Sequence, residues 1–141
     1  MALLDGRTWL ELIPPAECWR LLSGTPVGRI GVLVDSAPEI YPVNFVVDQE
    51  TIVFRTDPGN KLRELERSPS ICFEVDELDL AGRTGWSVLV KGRAEELADA
   101  EGMRGAAGLP LHFWAVGEKA HWIRIRPVEV TGRRIYRRKP A

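Results

Sequence analysis

The chain has 141 residues, of which 45% are hydrophobic and 28% charged, and its formal net charge is −1. This length and apolar content are typical of one domain whose packed core needs no disulfide or metal to hold it together. The near-neutral charge gives no electrostatic reason to expect a nucleic acid or another acidic partner. We therefore predict a single domain over residues 1–141.

The first residues, MALLDGRTWLELIPP, contain neither a basic leader nor a long apolar run. We therefore expect no signal peptide and no membrane span. The two cysteines, Cys18 and Cys72, fall on different predicted elements and lack the neighbours of a metal knuckle. This usage is typical of buried free thiols in a reducing compartment, and it predicts a cytoplasmic protein.

Apolar patterns predict a mainly β fold with few, short helices. Helices are expected at 15–22, where Pro15 suits a first turn, and at 60–67, where Leu62 and Leu65 share a face. A weaker helical pattern covers 98–105. Strands are expected at 27–34, 39–47, 51–56, 71–75, 86–97 and 122–136. Six strands with glycines inside them indicate a small closed or partly closed antiparallel barrel.

Three local features qualify these strands. Gly92 predicts a bulge or bend within the fifth strand. Pro127 predicts an edge position or a bulge in the last strand, because proline donates no ladder hydrogen bond. The acidic run at 76–79 is typical of a solvated turn, and no function is assigned to it.

The stretch over 41–62, YPVNFVVDQETIVFRTDPGNKL, carries the densest set of candidate ligand-binding groups. Its second strand ends in Arg55 and Thr56, a Pro-Gly turn follows, and Asn60 and Lys61 open a helix. Donors clustered after a strand, at a glycine turn and at a helix start suit a phosphate group. An ordinary solvated hairpin end has the same pattern, since such clusters are common at turns. The residues alone leave both interpretations open.

Motifs of familiar catalytic chemistry are absent from the sequence. It has no glycine-rich dinucleotide loop, no Walker loop and no Ser or Cys nucleophile signature. His112 and His121 have no partner at ligand spacing, so no metal site is predicted. Catalytic residues stay unassigned, and an enzyme built on this chain would need an organic cofactor. Trp86 and Ser87 open a strand and suit contact with a cofactor ring as well as plain packing.

Four stretches together resemble the pyridoxamine 5'-phosphate oxidase-like, FMN-binding split-barrel family, in particular its nitroimidazole-reductase-like and actinobacterial branch. They are ELIPPAECWRLLSGTPVGRIGV, YPVNFVVDQETIVFRTDPGNKL, GWSVLVKGRAEEL and WIRIRPVEVTGRRI, and they follow the family's order over nearly the whole chain. The resemblance implies a six-stranded antiparallel split β-barrel that forms a homodimer with flavin sites between its subunits. It also implies FMN as the cofactor and a small molecule as the substrate.

The resemblance further implies which residues contact the flavin. Those expected to hold its phosphate are Arg55, Thr56, Asn60 and Lys61. Those expected to run along the isoalloxazine ring, largely through backbone groups, are Pro42, Val43 and Asn44. Trp86 and Ser87 are expected to approach the ring or ribityl chain from the other subunit.

The chain lacks the longer C-terminal part of the true pyridoxamine phosphate oxidases, which argues against oxidation of vitamin B6. The expected function is an FMN-dependent oxidoreductase acting on an unidentified small molecule. The alternatives are a reductase that uses the deazaflavin coenzyme F-420 and a non-catalytic flavin or haem carrier. A nucleic-acid-binding barrel using Arg124, Arg126 and the basic tail is a weaker alternative, because aromatic side chains for base stacking are sparse in the tail.

Overall fold

The computed structural model describes residues 3–4, 10–57, 59–98, 102, 105–106, 108–111 and 121–136, and for residues 3, 4, 60 and 61 it describes the backbone only. The strands are β1 (Leu3–Leu4), β2 (Leu10–Ile13), β3 (Val27–Val34), β4 (Ala37–Asp48), β5 (Thr51–Thr56), β6 (Ser70–Asp79), β7 (Thr84–Glu96) and β8 (His121–Ile135). The helices are α1 (Pro15–Ser23) and α2 (Asn60–Arg67). Most of the predicted helix at 98–105, His112 and the end of the basic tail lie outside the described residues.

Six antiparallel strands close into a barrel in the order β8, β5, β4, β3, β6, β7 and back to β8. Strand β8 makes the closure because it pairs with β7 along one edge, while its other edge pairs first with β5 and then with β2. The predicted six-stranded split barrel is confirmed. The short strands β1 and β2, which the sequence had not predicted, extend the sheet beside the end of β8.

Alternation along each strand separates a barrel interior from an outer face. The largest fully buried interior side chains include Phe54, Phe73, Ile30, Ile123 and Ile125. A smaller cluster of Val53, Ala106 and Trp122 packs on the outer face of β5 and β8. Helix α2 turns the predicted Leu62 and Leu65 inward, where both are buried.

Backbone features account for the shape of the barrel. A Cβ at Gly28 would lie 2.3 Å from the Phe73 ring, so only glycine lets this ring fill the core. The predicted bulge is confirmed, because Lys91 pairs with Glu129 while its neighbour Gly92 pairs with Pro127. A Cβ at Gly92 would meet the carbonyl oxygen of Arg126 at 2.2 Å, which allows only glycine at this bulge.

The acidic run at 76–79 is not the solvated turn that its composition predicted. It forms the second half of β6 and pairs with the start of β7, from Asp76 opposite Ser87 to Asp79 opposite Thr84. Local acidic composition disfavours a strand, but the adjacent strand supplies the ladder hydrogen bonds while most of the charges stay exposed. The turn itself lies beyond Asp79.

The hairpin of β4 and β5 is held from outside by β8. Gln49 and Glu50 make its two-residue turn with φ of 48° and 58°. Arg124 donates from Nη1 to the Asp48 carboxylate at 2.9 Å and to the Thr51 hydroxyl at 2.6 Å. This guanidinium, one of the cations of the nucleic-acid interpretation, is therefore engaged in fixing the hairpin. No helix among the described residues is long and apolar enough to cross a bilayer.

Candidate functional site

The predicted anion site lies where β5 leaves its hairpin and leads into α2. The ladder between β4 and β5 ends at Phe45 opposite Phe54. Continued by one residue, this register sets Asn44 opposite Arg55 on the outer face of the barrel. The two neighbouring side chains are half-buried, and the Asn44 amide also donates to the Pro26 carbonyl at 3.5 Å.

Arg55 is held against an aromatic ring. Its guanidinium carbon lies 4.7 Å from the centre of the Trp122 ring, and Trp122 stands directly opposite Arg55 in the pairing of β5 with β8. Such a cation–π contact restricts the positions that the guanidinium can adopt. The Trp122 ring therefore holds the positive charge of Arg55 in place at the end of β5.

Helix α2 begins at Asn60, directly after Gly59, and thus starts a few residues from Arg55. Its first turn contains no acidic residue. The first backbone N–H groups of a helix lack intrahelical partners and carry the positive end of the helix dipole. This end of the barrel therefore combines a guanidinium with helix donors, a chemistry that suits an anion.

The nine predicted contact residues divide between the two faces of the barrel. Pro42, Asn44, Arg55 and Ser87 occupy outward positions in the alternation, whereas Val43, Thr56 and Trp86 occupy inward ones. The side chains of Asn60 and Lys61 lie outside the described part of the chain. The structure thus brings Asn44 and Arg55 together and directs Thr56 away from both.

Thr56 illustrates this division. It is 2% exposed and lies opposite His121 on the interior side. Its hydroxyl donates to the Asp57 carbonyl at 3.4 Å, which is long for an O–H···O hydrogen bond. The side chains of Thr56 and Arg55 therefore cannot both bind the same phosphate group unless the backbone turns between them.

A row of directly paired residues crosses four strands on the outer face. It consists of Pro42 on β4, Arg29 on β3, Glu74 on β6 and Leu89 on β7, and we call it the outer row. Ser87 is the next outward residue of β7 beside it. The row spans three inter-strand spacings, about 14 Å on a convex surface. Within one chain, Pro42 and Ser87 therefore point apart.

The outer row contains a charged cluster that the sequence had not predicted. Arg29 donates from Nη2 to Glu74 at 2.6 Å and to Asp76 at 2.8 Å. Burial raises the pKa of Glu74, the neighbouring carboxyl of Asp76 adds to the rise, and Arg29 opposes it. The hydrogen bond to Glu74 raises the pKa of Arg29. The alternation of Glu74 and Asp76 in FEVD was the signal that could have placed both carboxylates on one face.

A second missed pair lies on the interior side, near Thr56. His121 Nδ1 is 2.5 Å from a carboxylate oxygen of Glu96. The pair joins the first residue of β8 to the last of β7 beside α2. No three His, Cys, Asp or Glu side chains in the described ranges converge as they would around a metal ion.

A groove of about 590 Å³ adjoins the outer row on the same face. Its lining is mostly apolar and includes Leu33, Pro38, Ile40, Cys72 and Val128. Cys72 is a free thiol that lines this groove, so the prediction of two buried thiols is right for Cys18 and wrong for Cys72. The reason is strand alternation, which turns Cys72 outward beside Phe73, a core residue.

The sequence and fold are similar to those of several known proteins. An uncharacterised protein of Mycobacterium tuberculosis is 36% identical over 124 residues, which cover 84% of this chain and 81% of that protein. The structure of an FAD-binding protein from Mycobacterium smegmatis matches with a TM-score of 0.75 and 36% identity, over 87% of this chain and 96% of that one. An FAD-binding protein from Mesorhizobium loti matches with a TM-score of 0.76 and 26% identity, over 89% and 98%.

The family described as pyridoxamine 5'-phosphate oxidase matches residues 14–134, which run from the residue before α1 to near the end of β8. The match thus covers every strand of the closed barrel and both helices. The chain belongs to the pyridoxamine 5'-phosphate oxidase-like family of split-barrel proteins.

Proposed function

We propose that this protein is a flavin-dependent oxidoreductase that binds FMN, with the phosphate held by Arg55 and the start of α2. The observation that carries the proposal is the guanidinium of Arg55, fixed on the Trp122 ring next to a helix whose first turn has no acidic residue. Membership of the family supports a flavin, and two similar structures are those of FAD-binding proteins.

The residues at this end of the barrel fit a phosphate. Arginine can donate to two phosphate oxygens at once, and the first N–H groups of α2 add uncharged donors. Asn60 and Lys61, the first two residues of α2, bring an amide and a second cation to the same place in the sequence. The flavin, when bound, supplies the hydride chemistry for which this chain has no side chain.

The proposal includes a homodimer that completes each site. Pro42 is proposed to run along the isoalloxazine ring. It lies about 14 Å from the β7 end of the outer row, where Ser87 is found, and the two side chains point in different directions. One ring therefore contacts both Pro42 and Ser87 only if Ser87 comes from a second chain. The side chain of Trp86 is directed inward, so Ser87 is the residue of this adjacent pair that faces outward toward a partner. The exposed Ile40 and Val128 of the neighbouring groove give that second chain an apolar surface to cover.

The first test identifies the cofactor in the purified protein. Its visible absorption and the mass of the released ligand distinguish FMN, FAD and a deazaflavin, and FMN is the expected result. Light scattering of the loaded protein at micromolar concentration should give the mass of two chains. A monomer that retains full flavin affinity would overturn the shared site.

A second test separates an enzyme from a flavin carrier. Adding a nicotinamide donor under anaerobic conditions should bleach the bound flavin, and a proton-consuming acceptor such as menadione should restore its colour. A bound flavin that no nicotinamide donor reduces would make this protein a carrier.

A further inference from the structure

We propose that Glu74, which shares Arg29 with Asp76, takes up a proton when flavin covers the outer row, and that Glu74 gives this proton to the acceptor during hydride transfer. The inference rests on the proposed function, because it needs the flavin ring to lie along Pro42. It supplies the acid that no sequence motif provided.

The geometry brings two carboxylates to one cation. Glu74 and Asp76 are two residues apart on β6 and so share the outer face. Both accept from the same nitrogen of Arg29, at 2.6 Å and 2.8 Å. Two negative charges thus face one positive charge, and the cluster carries an excess negative charge when both carboxylates are ionised.

Neighbouring strands do not cancel that excess. On β4, Arg29 pairs with Pro42, which has no charge. On β7, Glu74 pairs with Leu89 and Asp76 with Ser87. The other cations on this side of β7 are Lys91, whose Nζ lies 3.9 Å from Glu129 on β8, and Arg93, which pairs with Ser70 at the start of β6. On β8, Arg133 pairs with Ser87 and is exposed. Among the described residues, Arg29 is therefore the cation bonded to the carboxylate pair.

Cover by a flavin ring would shift Glu74 toward protonation. The side chains of Glu74 and Asp76 are each 35% exposed, so water still solvates part of their charge. A ring lying over the row removes this water, and desolvation of an excess negative charge favours the form that binds a proton. The burial that already raises the pKa of Glu74 acts in the same direction.

The proton balance of the reaction fits such a donor. A hydride adds two electrons and one proton to a neutral acceptor, which then needs one further proton to become neutral again. The O–H bond of Glu74 breaks, its electron pair stays on the carboxylate beside Arg29, and the proton passes to the acceptor. The partial exposure of Glu74 allows solvent to restore the proton before the next turnover.

Proton uptake on ligand binding tests this idea without any turnover. Riboflavin is the probe because it lacks the phosphate group of FMN. Protonation of that phosphate would add to the measured number of protons taken up. Calorimetric titration in two buffers of different ionisation enthalpy gives the number of protons taken up per riboflavin bound. Wild type should take up a proton near neutral pH, whereas Glu74→Gln and Asp76→Asn should both lose this uptake. Glu77→Gln is the matched control, since Glu77 is an exposed carboxylate on the opposite face of β6.

A rate measurement tests the proton transfer from Glu74 itself. Reoxidation of the reduced, flavin-loaded protein by menadione should slow in Glu74→Gln by at least about tenfold, since a general acid contributes about 10²–10⁴-fold. Riboflavin binding without proton uptake in wild type, unchanged uptake in Glu74→Gln, or an unchanged rate would each overturn the inference and leave flavin binding intact. Failure to bind any flavin would overturn the proposed function as well.

Discussion

Arg55 on β5 and Trp122 on β8 stand directly opposite each other in the ladder, and the guanidinium carbon lies 4.7 Å from the ring centre. The ring thus fixes the cation to which we assign the phosphate. We expect Trp122→Leu to weaken FMN binding by up to about 30-fold, because a cation–π contact contributes roughly 0.5–2 kcal/mol. Fluorescence titration with FMN measures this. Unchanged affinity in a folded variant would show that the ring does not position Arg55.

The β4–β5 hairpin should depend on Arg124. This side chain is 15% exposed and donates to Asp48 and Thr51. Arg124→Ala should lower the free energy of unfolding by about 2–3 kcal/mol, since it leaves a half-buried carboxylate without its cation. Arg126→Ala is the matched control on the same strand, because Arg126 makes an exposed ion pair with Glu95 and should cost under about 1 kcal/mol. If urea denaturation shows equal losses of unfolding free energy for both variants, Arg124 does not hold the hairpin.

The core should reject any side chain at Gly28. A Cβ there would lie 2.3 Å from the Phe73 ring, so Gly28→Ala should destabilise the barrel by about 1–3 kcal/mol. Gly59→Ala is the control, since its Cβ would meet nothing within 4 Å. Thermal unfolding followed by circular dichroism compares the two variants. If Gly59→Ala loses as much stability as Gly28→Ala, crowding by Phe73 is not the cause of the destabilisation.

Acid stability should reveal the ion pairs between α1 and β8. The hydrogen bond from Arg134 is the main cause that lowers the pKa of Glu17 below its usual range. A carboxyl whose pKa is lowered by folding stabilises the protein above its unfolded pKa, and this stabilisation is lost as the pH falls through the folded pKa. The stability gap between wild type and Glu17→Gln should therefore be present at neutral pH and close in acid. If the difference in stability between the two proteins does not change with pH, the ion pair with Arg134 is not its cause.

Local sequence signals predicted the elements with strong patterns. Helix α2 and strands β3 and β5 occupy the predicted residues, because proline, glycine turns and apolar periodicity agree there. The acidic end of β6 was missed because its strand character comes from pairing with β7. Strand β2 was missed because most of its pairing is with β8, more than a hundred residues further along the chain.

The candidate site was harder to predict, since contacts between distant strands decide it. Period-two alternation directs Trp86 inward and Ser87 outward, although the two are adjacent in the sequence. Arg29 and Glu74 are 45 residues apart and meet only because β3 pairs with β6. Side-chain chemistry identified Arg55 as a candidate and the family resemblance identified Asn44, but only the register of β4 and β5, continued by one residue beyond Phe45 and Phe54, sets the two opposite each other.

Binding of FMN and riboflavin to wild type and Arg55→Ala tests the central claim most directly. A charge-assisted hydrogen bond contributes roughly 1.5–3 kcal/mol, so Arg55→Ala should weaken FMN by about ten- to a hundredfold. Riboflavin, which has no phosphate, should lose much less affinity. Arg67→Ala removes the same charge at the far end of α2 and should leave both affinities unchanged. If Arg55→Ala leaves FMN affinity intact, or lowers it only in step with riboflavin, the end of β5 is not the phosphate site.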